Sequence, residues 1–151
     1  MLPAQKVVQV AKFAEGTEVP AERSKAEIER TLTKFGADQF GYGWRDTAAV
    51  VVFRAQGRHI KFVLPMPTDA DLKGMKKDGA KERETRRRWR ALNLCIKAKL
   101  EAVATGIETF EESFMAHVVL PDGRTMAEAA LPQIGQAYKD GKMPPLLGFD
   151  K

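Results

Sequence analysis

"QFGYGWRDTAAVVVFRAQGRHIKFVLPM" (residues 39–66) reads as three strands joined by two tight turns, and that reading decides the fold. In 39–45 an aromatic residue stands at every second position: Phe40, Tyr42 and Trp44, with Gly41 and Gly43 between them. Period two is the repeat of an extended chain, so one face of this segment is aromatic and the other nearly bare. Asp46-Thr47 suits a turn. Residues 48–55 (AAVVVFRA) are rich in β-branched side chains, which favour strands. Gln56-Gly57 reads as a two-residue hairpin turn, because Gly57 can take positive φ. In 58–66, Ile60, Phe62, Leu64 and Met66 alternate with His59, Lys61 and Val63, and Pro65 and Pro67 end the strand. Connections this short make an antiparallel meander.

Helical patterns flank the meander. Upstream, Ser24 and Glu27 form a capping-box pattern. Ile28, Leu32 and Phe35 then recur at helical spacing before Gly36, which predicts a helix over 25–35. Residues 1–22 read as an N-terminal arm or short strand. Downstream, 67–81 reads as a loop and 82–105 as a long helix. Trp89, Leu92, Ile96, Leu100 and Val103 form its apolar stripe. Ala91, Cys95, Ala98 and Ala102 form a small-residue stripe beside it, expected to let this helix lie close on the sheet. Thr109/Glu112 and Thr125/Glu128 are two further capping boxes. They predict helices running to about 119 and over 126–139, separated by the turn "LPDGR" (120–124). The expected architecture is α+β: α-β-β-β-α, a three-stranded antiparallel meander covered on one face by helices, plus two C-terminal helices. Residues 23–141 make a single domain and 142–151 a C-terminal tail.

The chain has 151 residues, 44% hydrophobic and 30% charged, and a formal net charge of +5. That composition belongs to a folded soluble protein rather than a disordered one. The single cysteine, Cys95, excludes an intramolecular disulfide and a cysteine-based zinc site. Its apolar helical setting predicts a buried, inert thiol. No apolar run reaches membrane-spanning length, and the N-terminus lacks the apolar core of a signal peptide. The expectation is a cytoplasmic protein with no membrane partner.

The charge is concentrated. Between residues 73 and 90 stand Lys73, Lys76, Lys77, Lys81, Arg83, Arg86, Arg87, Arg88 and Arg90 against Asp78, Glu82 and Glu84. The segment carries +6 and the rest of the chain about −1. Cations at a helix start oppose the helix dipole by roughly 0.3–1 kcal/mol each, and an anionic partner relieves that cost. Arg83, Arg86, Arg87 and Arg90 fall near one side, with Lys97 further along it. Arginine forks onto phosphate oxygens. The alternatives are a solvated helix face with a Glu82–Arg86 pair, or an acidic protein partner. Arg58 and Lys61 are candidates to extend the basic surface.

Phe40, Tyr42 and Trp44 are candidates for base stacking if they face solvent. Most of that stripe is expected to point inward, toward the helices. Lys99 is expected to run its stem along apolar surface. His59 and His117 lie in no catalytic pattern, and His117 reads as a core or edge histidine. No HExxH, P-loop, GxGxxG or nucleophile-elbow pattern occurs. The carboxylate pairs Asp69/Asp71 and Glu111/Glu112 read as surface groups. No enzyme activity, cofactor or metal is expected.

"TEVPAERSKAEIERTLTKFGADQFGYGW", "GRHIKFVLPMP", "RRRWRALNLCIKAKLEAVATGIETFEESFMAHVVLPDGRTM" and "GKMPPLLGF" together resemble a group of small proteins from bacteriophages and integrated mobile elements. The likeness covers about 17–149. It implies a phage or prophage origin and carries no functional residues with it. The element order is also similar to that of double-stranded-RNA-binding domains and of the core of phage single-strand annealing proteins. The lysine motif of the former is only loosely echoed by "KKDGAK". The leading expectation is a phage-derived nucleic-acid-binding protein, DNA before RNA, acting on single strands (annealing, recombination) or on backbone shape, with a homo-oligomer as its candidate assembly. The other is a non-catalytic phage protein that docks on a host protein and modulates it, as an anti-defence inhibitor would.

Overall fold

A computed structural model describes residues 18–74 and 79–147, with side chains from Ala21 onward. The element order is α1 (Glu18–Phe35), β1 (Gln39–Arg45), β2 (Ala48–Ala55), β3 (Arg58–Pro65), α2 (Ala80–Ala104), α3 (Phe110–Phe114), a 3-10 turn (Met115–His117) and α4 (Met126–Asp140). The α+β expectation holds. The strands form one antiparallel sheet in the order β1-β2-β3. Tyr42 faces Val51, which faces Phe62, so the three central side chains share one face. Asp46, Gln56 and Gly57 take positive φ (55°, 49° and 73°), the backbone that tight hairpin turns require.

α1 starts seven residues earlier than the capping pattern implies. Ser24 lies within the helix rather than at its cap. Ala21, Lys25, Ile28 and Leu32 extend one helical stripe and all are buried, so packing lengthens the helix through residues that local cap chemistry would exclude. Of the expected N-terminal arm, residues 1–17 lie outside the described residues and 18–22 are helical.

α1, α2 and α3 cover one face of the sheet. Val51, Phe53, Ile60 and Phe62 meet Ile28, Leu32, Trp89, Ile96 and Phe114 in one core. Each such side chain, fully buried, contributes roughly 1.5–3 kcal/mol. The stripe Trp89-Leu92-Ile96-Leu100 is buried as expected. The small-residue stripe is not: Ala91, Cys95 and Ala98 are exposed, as is Leu94. A helix buries one face, and the larger side chains remove more apolar area from water than three alanines and a cysteine. Cys95 is therefore a surface thiol, against expectation.

The helix after Thr109 also stops early. Its capping box forms, but α3 ends at Phe114 and passes through the 3-10 turn. Val118 then bridges Ile60, and the Val119 amide donates to the His59 carbonyl at 2.8 Å. Two β-branched residues thus cap the free edge of β3 instead of prolonging a helix. α4 carries the expected Thr125–Glu128 box and runs through Pro132. It buries Ala129 and Ala130 and leaves Leu131, Ile134 and Tyr138 exposed. Among the described residues no helix is long and apolar enough to cross a membrane.

Candidate nucleic-acid interface

The basic segment divides into arginines spent on the fold and arginines left over. Glu84 accepts from Arg87 at 3.0 Å and from Arg88 at 3.1 Å. Arg88 also donates to the Pro65 carbonyl at 2.7 Å and reaches Asp71 at 3.4 Å. It ties the chain leaving β3 to the start of α2. These bonds, Arg88's first, hold the Glu84 carboxyl below its ordinary range. The Glu82–Arg86 pair that belongs to the solvated-face alternative is absent among the described residues. Among the described residues Arg86 and Arg90 make no ion pair. Lys73 and Lys81 are exposed, Lys73 in the turn after Asp71 and Lys81 in the first turn of α2. Lys76 and Lys77 lie outside the described residues.

Arg58 and Lys61 do not join this cluster. Arg58 pairs with Glu111 at 3.5 Å. It stands at the far end of β3 from Pro65, about 23 Å of strand away from the Arg88 clamp. Lys61 points to the opposite face of the sheet and pairs with Glu128 of α4 at 3.7 Å. Alternation along β3 separates it from α2.

The aromatic stripe points inward for two of its three rings. The Tyr42 hydroxyl donates to the Lys25 carbonyl of α1 at 2.5 Å, and its ring meets Trp89 edge-on at 5.8 Å. Phe40 packs edge-on against Tyr42 at 4.9 Å. Trp44, at the end of β1, is 45% exposed, more than either of the other two rings, which are partly buried.

The flank of α2 that carries Arg86 and Arg90 faces α1. Asn93 Nδ2 donates to Glu27 at 2.7 Å, and Lys97 Nζ donates to the other oxygen of that carboxylate. These two bonds, Lys97's first, hold the Glu27 carboxyl below its ordinary range. Asn93 is buried, and its Oδ1 has no hydrogen-bond partner among the described residues. This polar bridge escaped the sequence reading; its signal was an asparagine inside the apolar stripe of 89–100.

The remaining chemistry-bearing groups serve the fold. His117 stacks on Phe62 at 3.9 Å. Burial, then the nearby Lys99 charge, push its pKa below the ordinary value. Lys99 caps the Ser113 carbonyl at 2.9 Å with its ammonium over the Phe114 ring. Asp71 binds the Thr68 amide, and Glu112 caps α3. A groove of about 590 Å³ beside β1 is lined by Glu29, Thr33, Phe40, Gly41, Val52 and His59 among others. Its Asp38 is already held by a two-point bond from Arg54 at 2.6 and 2.9 Å. Among the described residues no three His, Cys, Asp or Glu side chains stand close enough to hold a metal ion. No protein-family model matches the chain, and no curated protein or solved structure is similar enough to be matched with it.

Proposed function

We propose that this is a phage-type nucleic-acid-binding protein that grips the phosphate backbone through α2, with Arg86 and Arg90 as its principal contacts. The observation that carries the reading is that these two arginines lack an acid on a helix where Arg87 and Arg88 share one. Arg86 and Arg90 stand four residues apart on one flank of α2, where like charges repel, and an anion between them relieves that repulsion. Arg83, Lys81 and Lys73 add to the same positive field. Backbone binding is preferred over base stacking because Phe40 and Tyr42 are committed to the core.

The test is binding to a labelled DNA oligonucleotide as salt is varied. Affinity should fall steeply with salt, and Arg86→Ala/Arg90→Ala should reduce the slope of log K on log salt by about 2. No binding at low salt, or a double variant with the parental slope, would falsify the reading. A second reading, docking on a host protein, is favoured by the exposed Leu131, Ile134 and Tyr138 of α4. It predicts a stoichiometric protein partner that survives nuclease and is lost in Ile134→Asp/Tyr138→Asp.

A further inference from the structure

α1 carries a row of cations that the charge run at 73–90 does not announce. Arg23, Arg30 and Lys34 stand at −4, +3 and +7 from Glu27, which places all three on the side of α1 that Glu27 occupies. Glu27 bonds to Asn93 and Lys97, so it marks the edge of α1 next to α2, and the three exposed cations stand along the outer side of that edge. Arg30 also contributes to holding the Glu27 carboxyl low. On α2, Arg86 and Arg90 stand at −7 and −3 from Asn93, on the flank that faces back. The helices run in the same direction: Lys25 lies over Trp89, and Glu27 meets Asn93 and Lys97.

Arg54, Arg58, Arg87, Arg88 and Arg124 all hold carboxylates. Among the described residues the arginines with no ion pair are Arg23, Arg30, Arg45, Arg86 and Arg90, and four of these five share a helix side with Glu27 or Asn93. Glu27 is consumed by Lys97 and Asn93, and the other acids on this flank of α2, Glu82 and Glu101, stand at its two ends.

We infer that the α1–α2 seam is a two-rail site for the backbone of a double-stranded nucleic acid, with Arg23, Arg30 and Lys34 as the second rail. This rests on the backbone-binding reading above and adds to it the α1 residues and the duplex. From the level of Arg83 to that of Lys34 the seam spans about 17 residues of helix, roughly 25 Å. That length covers about seven base pairs at 3.4 Å per step. Single-strand sites combine a basic groove with rings on which bases stack. The only rings on α1 and α2 are Phe35 and Trp89, both packed in the core. A seam with charge and no rings reads backbone, and a duplex offers the denser backbone charge.

The experiment is a salt titration of duplex and single-stranded DNA of one sequence against the full chain, Arg23→Ala/Arg30→Ala/Lys34→Ala, and Arg86→Ala/Arg90→Ala. The α1 variant should lower the duplex slope by about 2–3, at close to 0.9 per lost phosphate contact. Arg23→Lys/Arg30→Lys, which keeps the charge, should retain the slope. It also guards against a variant that fails to fold, as do melting curves. If the α2 variant loses slope and the α1 variant does not, the second rail is wrong and the α2 reading stands. If single strands bind more tightly than the duplex, the duplex assignment is wrong. If the parent binds neither DNA at low salt, both fall.

Discussion

The Tyr42 hydroxyl donates to the backbone carbonyl of Lys25 at 2.5 Å, joining the middle of the edge strand β1 to the first half of α1. A ring at this position therefore fixes both the face of the sheet and the seating of the helix. Burial pushes the phenol pKa far above its ordinary value, with the Glu29 and Glu22 charges adding to it. Tyr42→Phe keeps the packing on Trp89 and loses only the hydrogen bond, at about 1 kcal/mol. Tyr42→Ala also opens a hole beside Trp89 and should cost about 3 kcal/mol. Urea denaturation of the two variants measures the split; equal losses would mean that the ring contributes nothing beyond its hydroxyl.

The same residue marks what the sequence could disclose. All three strands were legible because period-two alternation, β-branched runs and turn residues agree locally. The two capping boxes at Thr109 and Thr125 were legible for the same reason. What local pattern could not rank was competition between faces. Both stripes of α2 have helical spacing, and only packing volume decides that Trp89 and Ile96 go inside and Cys95 outside. The helix end at Phe114 depends on β3 offering an edge to Val118, a partner more than fifty residues away in sequence. The basic segment was visible as a charge run, but the role of each cation depends on which acids the fold brings near. Arg88 is taken by Asp71, seventeen residues upstream, and Lys61 by Glu128, far downstream.

Arg88 and Arg86, two residues apart, should therefore behave differently. Arg88→Ala removes bonds to Pro65, Asp71 and Glu84 together. It should lower stability by about 1–2 kcal/mol and speed proteolysis between β3 and α2. Arg86→Ala should leave the melting temperature unchanged and weaken only binding. Limited proteolysis beside a thermal melt compares them, and matched behaviour in both assays would refute the division of roles.

His117 makes stability fall on the acid side of neutrality. Its folded pKa lies below the ordinary value near 6.5, so the unfolded chain binds the proton more readily. Its neutral stacking on Phe62 is fully effective above that ordinary value. The contribution is lost as pH drops through it toward the folded pKa. The lowered carboxylates, Glu27 and Glu84 among them, act in a separate window at lower pH, where protonating them removes their ion pairs. Melting temperatures of the parent and of His117→Gln between pH 5 and 8 test this. The parent should show the steeper decline below pH 6.5, and parallel curves would remove His117 as the cause.

Cys95 offers the most direct check on the orientation of α2. It lies on the exposed side of the helix with Ala91, Leu94 and Ala98, across from the buried Trp89–Ile96 stripe. A thiol buried against the sheet would react with a maleimide or a disulfide reagent only when the protein unfolds. A surface thiol reacts in the native state. Native protein at neutral pH should therefore reach one label per chain as fast as protein in denaturant, within a few-fold, with no loss of helical signal. Labelling that waits for unfolding would turn α2 about its axis. That rotation would also carry Arg86 and Arg90 away from α1 and dismantle the seam, so this labelling experiment constrains the proposed nucleic-acid site before any nucleic acid is added.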